Sequence, residues 1–147
     1  MTKDNIIQEL PYSKPFLFVD EIIAVNEHQI KGTYTFREDE YFYQGHFKNN
    51  PITPGVILTE CMAQIGLASF GIFLIKNSLN QNQLSIAITS SEIDFYKPVL
   101  PGEKVSVIAD KEYFRFNKLK CKVAMYNAND TLVAKGTIAG MAFQQKK

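Results

Sequence analysis

Between Pro54 and Pro98 the chain contains no proline, and the first half of that stretch is apolar on nearly every side: Val56, Ile57, Leu58, Met62, Ile65, Leu67, Phe70, Ile72, Phe73, Leu74 and Ile75. Thr53 suits a helix cap and Pro54 the first helical position. The pattern predicts a helix from Pro54 to about Lys76, roughly 35 Å long at ~1.5 Å per residue. A helix that is hydrophobic all round must be wrapped by protein or by lipid. A membrane span also needs ~20 apolar residues, but Glu60 and Gln64 lie inside this one, and an ionisable group at membrane depth costs at least ~2.5 kcal/mol. Segments of β character flank it on both sides. Wrapping by protein, without membrane insertion, is the expectation.

The wrapping material is legible on either side. Phe16 to Ala24 and Ile30 to Arg37 are rich in β-branched and aromatic residues, and the polar Asn26-Glu27-His28-Gln29 between them marks a hairpin. Leu84 to Tyr96, Glu103 to Phe116, Lys118 to Tyr126 and Thr131 to Phe143 read as four further strands in a meander, with turn signals at Pro101-Gly102, Asn117 and Asn127-Ala128-Asn129-Asp130. Ahead of them a short helix is expected, capped by Asp4 or Asn5 and stopped by Pro11, lying on the surface as a lid. One buried helix and about six mostly antiparallel strands satisfy every apolar face if the sheet curls round the helix. The predicted class is α+β: a hot-dog fold, a curved antiparallel sheet around one long central apolar helix.

Composition fits one domain spanning residues 1–147, with 46% hydrophobic residues for a single core. Sixteen Lys and Arg against 15 Asp and Glu give no electrostatic reason to expect nucleic acid or an anionic membrane as partner. Cys61 and Cys121 lie far apart in apolar surroundings, as small hydrophobes of a reducing compartment do, and no metal-ligand spacing involves them. Met1-Thr2-Lys3-Asp4 has no apolar stretch behind it, so export is not expected and a cytoplasmic location is.

The chemistry concentrates in Gln44 to Val56 and Glu60 to Gln64. One imidazole, His46, precedes the buried helix, and one carboxyl, Glu60, sits in its second turn. An imidazole near neutrality can take a proton, and a carboxyl among apolar side chains is held protonated as an acid. Gln64, one helical turn beyond Glu60, can orient that carboxyl. The helix start exposes N–H groups, and Gly55 lets a ligand approach the main chain there, where negative charge on a thioester oxygen would be stabilised. Loss of a β-hydroxyl with removal of an α-proton is a reaction that uses all three. A lone histidine before a helix is more often a loop or capping residue, and Gln64 alone is as well explained as a structural amide. Glu60 is harder to dismiss, since charged residues are rarely buried without a partner or a task. His28 reads as a turn residue. Lys97, Arg115, Lys118 and Lys120 read as solvated cations that could also dock an acidic carrier.

Four ordered stretches carry a family resemblance across nearly the whole chain. Leu10-Pro11-Tyr12-Ser13-Lys14-Pro15-Phe16-Leu17-Phe18-Val19-Asp20 resembles Leu-Pro-His-Arg-Tyr-Pro-Phe-Leu-Leu-Val-Asp of the β-hydroxyacyl-acyl-carrier-protein dehydratases of the FabZ type. Phe42 to Phe47 resembles their Phe-Phe-Gln-Gly-His-Phe, and Pro51 to Val56 their Pro-Ile-Met-Pro-Gly-Val. Glu60 to Gln64 resembles their Glu-Ala-Met-Ala-Gln, and Phe95 to Gly102 their Phe-x-x-Pro-Val-x-Pro-Gly.

The resemblance implies dehydration of a (3R)-3-hydroxyacyl thioester on acyl carrier protein to the trans-2-enoyl thioester, in fatty-acid or related lipid biosynthesis. It implies His46 as base, Glu60 as acid, the Gly55 amide on the thioester carbonyl and Gln64 supporting Glu60. It further implies a homodimer in which His46 of one protomer meets Glu60 of the other, assembled further as a trimer of dimers. No metal or redox cofactor follows; the substrate brings its own phosphopantetheine arm. The FabA type, which also isomerises the double bond, carries Asp at the acid position, so Glu60 favours simple dehydration. Lys48-Asn49-Asn50 stands in place of Pro-Gly, and Tyr12-Ser13 in place of His-Arg. The alternatives are a hot-dog acyl thioesterase, a specialised dehydratase of a polyketide-like or aryl-polyene pathway, and a non-catalytic acyl-binding module.

Overall fold

The computed structural model describes residues 2–46, 48–76 and 84–144; Phe47 of the histidine motif lies outside them. The chain runs α1 (Lys3–Glu9), β1 (Glu21–Val25), β2 (Gln29–Thr35), a 3₁₀ turn (Tyr41–Gln44), a central helix, then β3 (Leu84–Phe95), β4 (Lys104–Arg115), β5 (Lys118–Asn127) and β6 (Leu132–Gln144). The central helix is α2 (Gly55–Ala63), a π-helical turn (Gln64–Ser69) and α3 (Phe70–Lys76) in unbroken succession. Its long apolar run is core: Ile57, Leu58, Met62, Ile65, Leu67, Phe70, Ile72 and Phe73 are all buried.

All six strands form one antiparallel sheet in the order β1-β2-β4-β5-β6-β3. Alternate residues of β4 and β5, among them Val105, Val107, Ala109, Leu119, Cys121 and Val123, point at the helix and are buried, as the period of two requires. The sheet can come this close because Gly66 faces it: a Cβ there would stand 3.1 Å from the Ala109 Cβ and 3.2 Å from a Val123 methyl. The predicted arrangement of a curved sheet on one apolar helix is the observed one.

Three local expectations are corrected. The four C-terminal strands are not a meander. Only β4-β5-β6 are, joined by tight turns in which Phe116, Asn117 and Asp130 take positive φ, and β3 pairs instead with β6 at the far edge. The reason lies in the residues 96–103: their main chain bonds to Val133, Thr53 and Phe36, which draws the connection across the helix entrance rather than back on β3. Second, Thr53 does not cap the helix. Pro54 is the capping residue, and the buried Thr53 hydroxyl is shared with Tyr43. Third, α1 begins after Thr2 without a side-chain cap, and the strand predicted from Phe16 begins only at Glu21. The Asn26 turn holds, its Oδ1 accepting from the His28 and Gln29 N–H groups.

Candidate active site

His46 stands on the stretch between the 3₁₀ turn and the helix. Aromatic packing holds the turn to the sheet, with Phe42 6.2 Å from Phe18 and 6.3 Å from Phe36 between ring centroids. The buried Glu40 accepts hydrogen bonds from the Tyr34 hydroxyl and the Arg37 N–H. The His46 main chain then closes a loop on itself, donating to the Phe42 carbonyl and accepting from the Ile52 N–H at 2.9 Å. Its ring Nδ1 lies 2.9 Å from the Ile52 carbonyl. A carbonyl can only accept, so this contact places a proton on Nδ1. The half-buried ring lines a cleft of about 410 Å³ together with Gly55, Leu58, Phe95, Tyr96 and Lys97.

Gly55 is the first residue of α2, so its N–H has no intrahelical acceptor. It meets the cleft bare: a Cβ added here would press on the Phe95 ring at 3.3 Å. Lys97 brings a cation to the rim of the same opening.

Glu60 lies one and a half turns along α2, half-buried, and does not line that cleft. Burial pushes its carboxyl above the usual carboxylate range, and the hydrogen bond from Gln64 offsets part of that. Gln64 is fully buried and uses its whole amide: Nε2 donates to Glu60 Oε2 and to the Phe16 carbonyl, both at 3.0 Å, and Oε1 accepts the Phe18 N–H at 2.7 Å. The amide orientation is thereby fixed. The helix widens at this point into its π turn, where the Ser69 hydroxyl donates to the Gln64 carbonyl five residues back, at 2.7 Å. π turns are rare and frequent at functional positions.

Within one chain, then, His46 and Gly55 share a cavity, while Glu60 and Gln64 form a second cluster farther along the same helix. One further titratable group responds to the second cluster. Tyr12 is half-buried, and burial together with the Glu60 carboxylate pushes its phenol up to about 12. Both thiols are buried and pushed up by burial, Cys121 to about 12, and Cys61 donates to the Phe18 carbonyl at 3.4 Å. Among the described residues no cluster of His, Cys, Asp and Glu could hold a metal ion. A larger hollow, about 560 Å³, lies on the sheet face turned away from the helix, where Asp110 pairs in register with Lys122 and Asp94 with Lys135. Its lining includes neither histidine nor cysteine.

A helix enclosed by an antiparallel sheet, with an imidazole before the helix and a carboxyl within it, defines the class as hot-dog. Among solved structures the fold is similar to the dehydratase heterocomplex ApeI:P from Xenorhabdus doucetiae (TM-score 0.76, 13% identity, 97% of this chain and 91% of that one). It is also similar to a thioesterase from Haemophilus influenzae (TM-score 0.70, 16% identity, 100% and 94%). Residues 10–140 match the FabA-like domain family, and the chain belongs to it. It is 36% identical to the 3-hydroxyacyl-[acyl-carrier-protein] dehydratase FabZ of Ehrlichia canis, over 97% of this chain and 95% of that protein. It is 31% identical to the FabZ of Gluconobacter oxydans, over 93% and 80%.

Proposed function

We propose that the protein dehydrates (3R)-3-hydroxyacyl thioesters on acyl carrier protein to trans-2-enoyl thioesters, with His46 as base and Glu60 as acid. The observation that carries this reading is the held carboxyl: burial pushes Glu60 upward, the direction a proton donor needs, and Gln64 Nε2 orients it. His46 Nε2 removes the α-proton, the β-carbon–oxygen bond breaks, and Glu60 transfers its proton to the departing hydroxyl, which leaves as water. The Gly55 N–H stabilises the charge that gathers meanwhile on the thioester oxygen. The imidazolium and carboxylate left behind return to their starting states by proton exchange with solvent. The phosphopantetheine arm arrives with the substrate, and Lys97 at the cleft rim offers a contact to an acidic carrier.

The site needs a second copy. β3 is a 12-residue edge strand, exposed from Ala87 to Glu92, and its end supplies Phe95 to the histidine cleft. A long bare edge is a template for pairing, whereas the opposite edge, β1, is five residues long and has α1 against it. Pairing of β3 with β3 of a second copy would carry the cleft of one protomer towards the Glu60 of the other. The buried position of the central helix supports a soluble enzyme.

The test is an assay of purified protein on 3-hydroxyacyl carrier substrates of graded length, including an aryl one. Enoyl absorbance is expected, and preference across the series separates primary fatty-acid work from a specialised pathway. Release of free thiol without enoyl product would replace this reading with the thioesterase one.

A further inference from the structure

The central helix changes pitch at the residue that holds the acid. Gln64 opens the π turn and Ser69 closes it, donating its hydroxyl to the Gln64 carbonyl at 2.7 Å. Both residues are fully buried, so solvent does not compete for that carbonyl. A π turn pairs residues five apart where an α-helix pairs residues four apart. The wider turn therefore takes in one residue more, and narrowing it to α would rotate one side against the other by about 100°. The far side of the turn is fastened to the sheet. Gly66 lies so close that a Cβ there would stand 3.1 Å from that of Ala109, and the Cys121 thiol donates to the Gly66 carbonyl at 3.5 Å. The near side carries Gln64, whose amide holds Glu60 Oε2 and the Phe16 carbonyl at 3.0 Å and the Phe18 N–H at 2.7 Å. A chain of two hydrogen bonds thus runs from Ser69 through Gln64 to Glu60.

We propose that Ser69 is a positioning residue for the acid: its hydroxyl keeps the turn wide, and the wide turn aims the Gln64 amide at the Glu60 carboxyl. This rests on the dehydratase reading for the role of Glu60 and adds a residue to it. Ser69 touches no reacting atom and moves no proton. A serine inside a helix bonds back to main-chain carbonyls of the preceding turn and distorts the helix there, and here the distortion falls on the residue that orients the acid. Without the hydroxyl, the Gln64 carbonyl loses a bond in a fully buried place, and narrowing to α is the way the helix replaces it. Because Gly66 is held by the sheet, that narrowing turns Gln64 away from Glu60. The carboxyl then loses both its orientation and the bond that offsets its burial.

The experiment follows the Glu60 carboxyl by infrared titration in wild type, Ser69→Ala, Ser69→Cys and Cys121→Ala, with its band assigned by its absence in Glu60→Gln. The midpoint is expected to move up in Ser69→Ala, because the Gln64 bond that lowers it is lost. It should move up less in Ser69→Cys, whose thiol is a weaker donor. Cys121→Ala removes a bond to the same turn without touching the Gln64 carbonyl, so its melting temperature should fall while the midpoint stays. Tyr12 and Cys61, the other titratable groups that sense Glu60, are the same in every variant. An unmoved midpoint in the folded Ser69 variants overturns the proposal, as does an equal shift in Cys121→Ala. If Ser69→Ala fails to fold, Ser69→Cys decides on the same readings. Turnover is measured separately, and kcat should fall roughly three- to tenfold in Ser69→Ala, the worth of one hydrogen bond, with KM unchanged. A wild-type protein that forms no enoyl product would reject the dehydratase reading, while the infrared comparison would still decide the role of Ser69.

Discussion

The two halves of the site are built in opposite ways. The carboxyl sits on a regular element, half-buried, and its orienting amide is fully buried with both ends occupied. The imidazole sits on an irregular stretch, half-buried, beside Asn49 at φ 58°, and one contact to the Ile52 carbonyl places a proton on Nδ1. The carboxyl is therefore tied to the core through Gln64, whereas the imidazole stands on a loop. Damage at the acid end should cost both stability and activity, and loss of the imidazole itself should cost activity alone.

The largest effect expected is on turnover. His46→Ala should lower kcat about 10² to 10⁴-fold with the melting temperature within a few degrees of wild type, since the half-buried ring stands outside the core cluster. A large fall in melting temperature would break the contrast. Gln64→Leu should unfold the protein more easily by roughly 2–4 kcal/mol in denaturant titration, because it strands the Phe16 carbonyl and the Phe18 N–H together with the Glu60 carboxyl. A change below about 0.5 kcal/mol would show that the amide is not a structural tie. Thr53→Val, on the base side, removes only the hydroxyl shared with Tyr43 and should cost about 1 kcal/mol, read by the same titration.

Protonation sharpens the contrast further. Burial raises the Glu60 carboxyl in the folded state, so its contribution to stability is fully present below the unfolded carboxylate value of ~4.3 and is lost as pH rises through the raised folded value. Glu60→Gln should remove that decline, making the variant gain on wild type as pH increases from acid to neutral. The activity follows the same sign: an acid must hold its proton, so the alkaline limb of kcat belongs to Glu60. Parallel stability curves for wild type and Glu60→Gln would count against a raised carboxyl.

Much of this was legible without coordinates, for reasons that differ from element to element. Pro54 to Lys76 was readable as a wrapped helix, because apolar residues cover nearly every side of it, although Val56 at its start is exposed. The β5 and β6 boundaries fell within a residue of expectation because Asn117 and Asn127 to Asp130 are local turn chemistry. The partnered setting of Glu60 was readable as well, since a lone Glu in an apolar helix demands an account. The π turn was not: the pattern around Gln64 to Ser69 is equally apolar in α and π geometry, and the Ser69 hydroxyl that bonds back to Gln64 looks like any other small residue. Nor was the place of the Phe16 to Phe18 main chain beside the helix, which depends on Gln64 reaching across 46 positions of sequence to Phe18.

What the sequence determined by itself were the pieces: one apolar helix, six strands, an imidazole ahead of the helix and a carboxyl within it. Each is written in patterns that repeat over two to four residues, and such patterns act locally. What only the tertiary structure decided was adjacency, meaning that β3 crosses to the edge beyond β6, that Gly66 meets Ala109, and that the Phe16 main chain meets Gln64. Those contacts arise because apolar surface is buried without regard to distance along the chain, and no local pattern records which distant surfaces will meet.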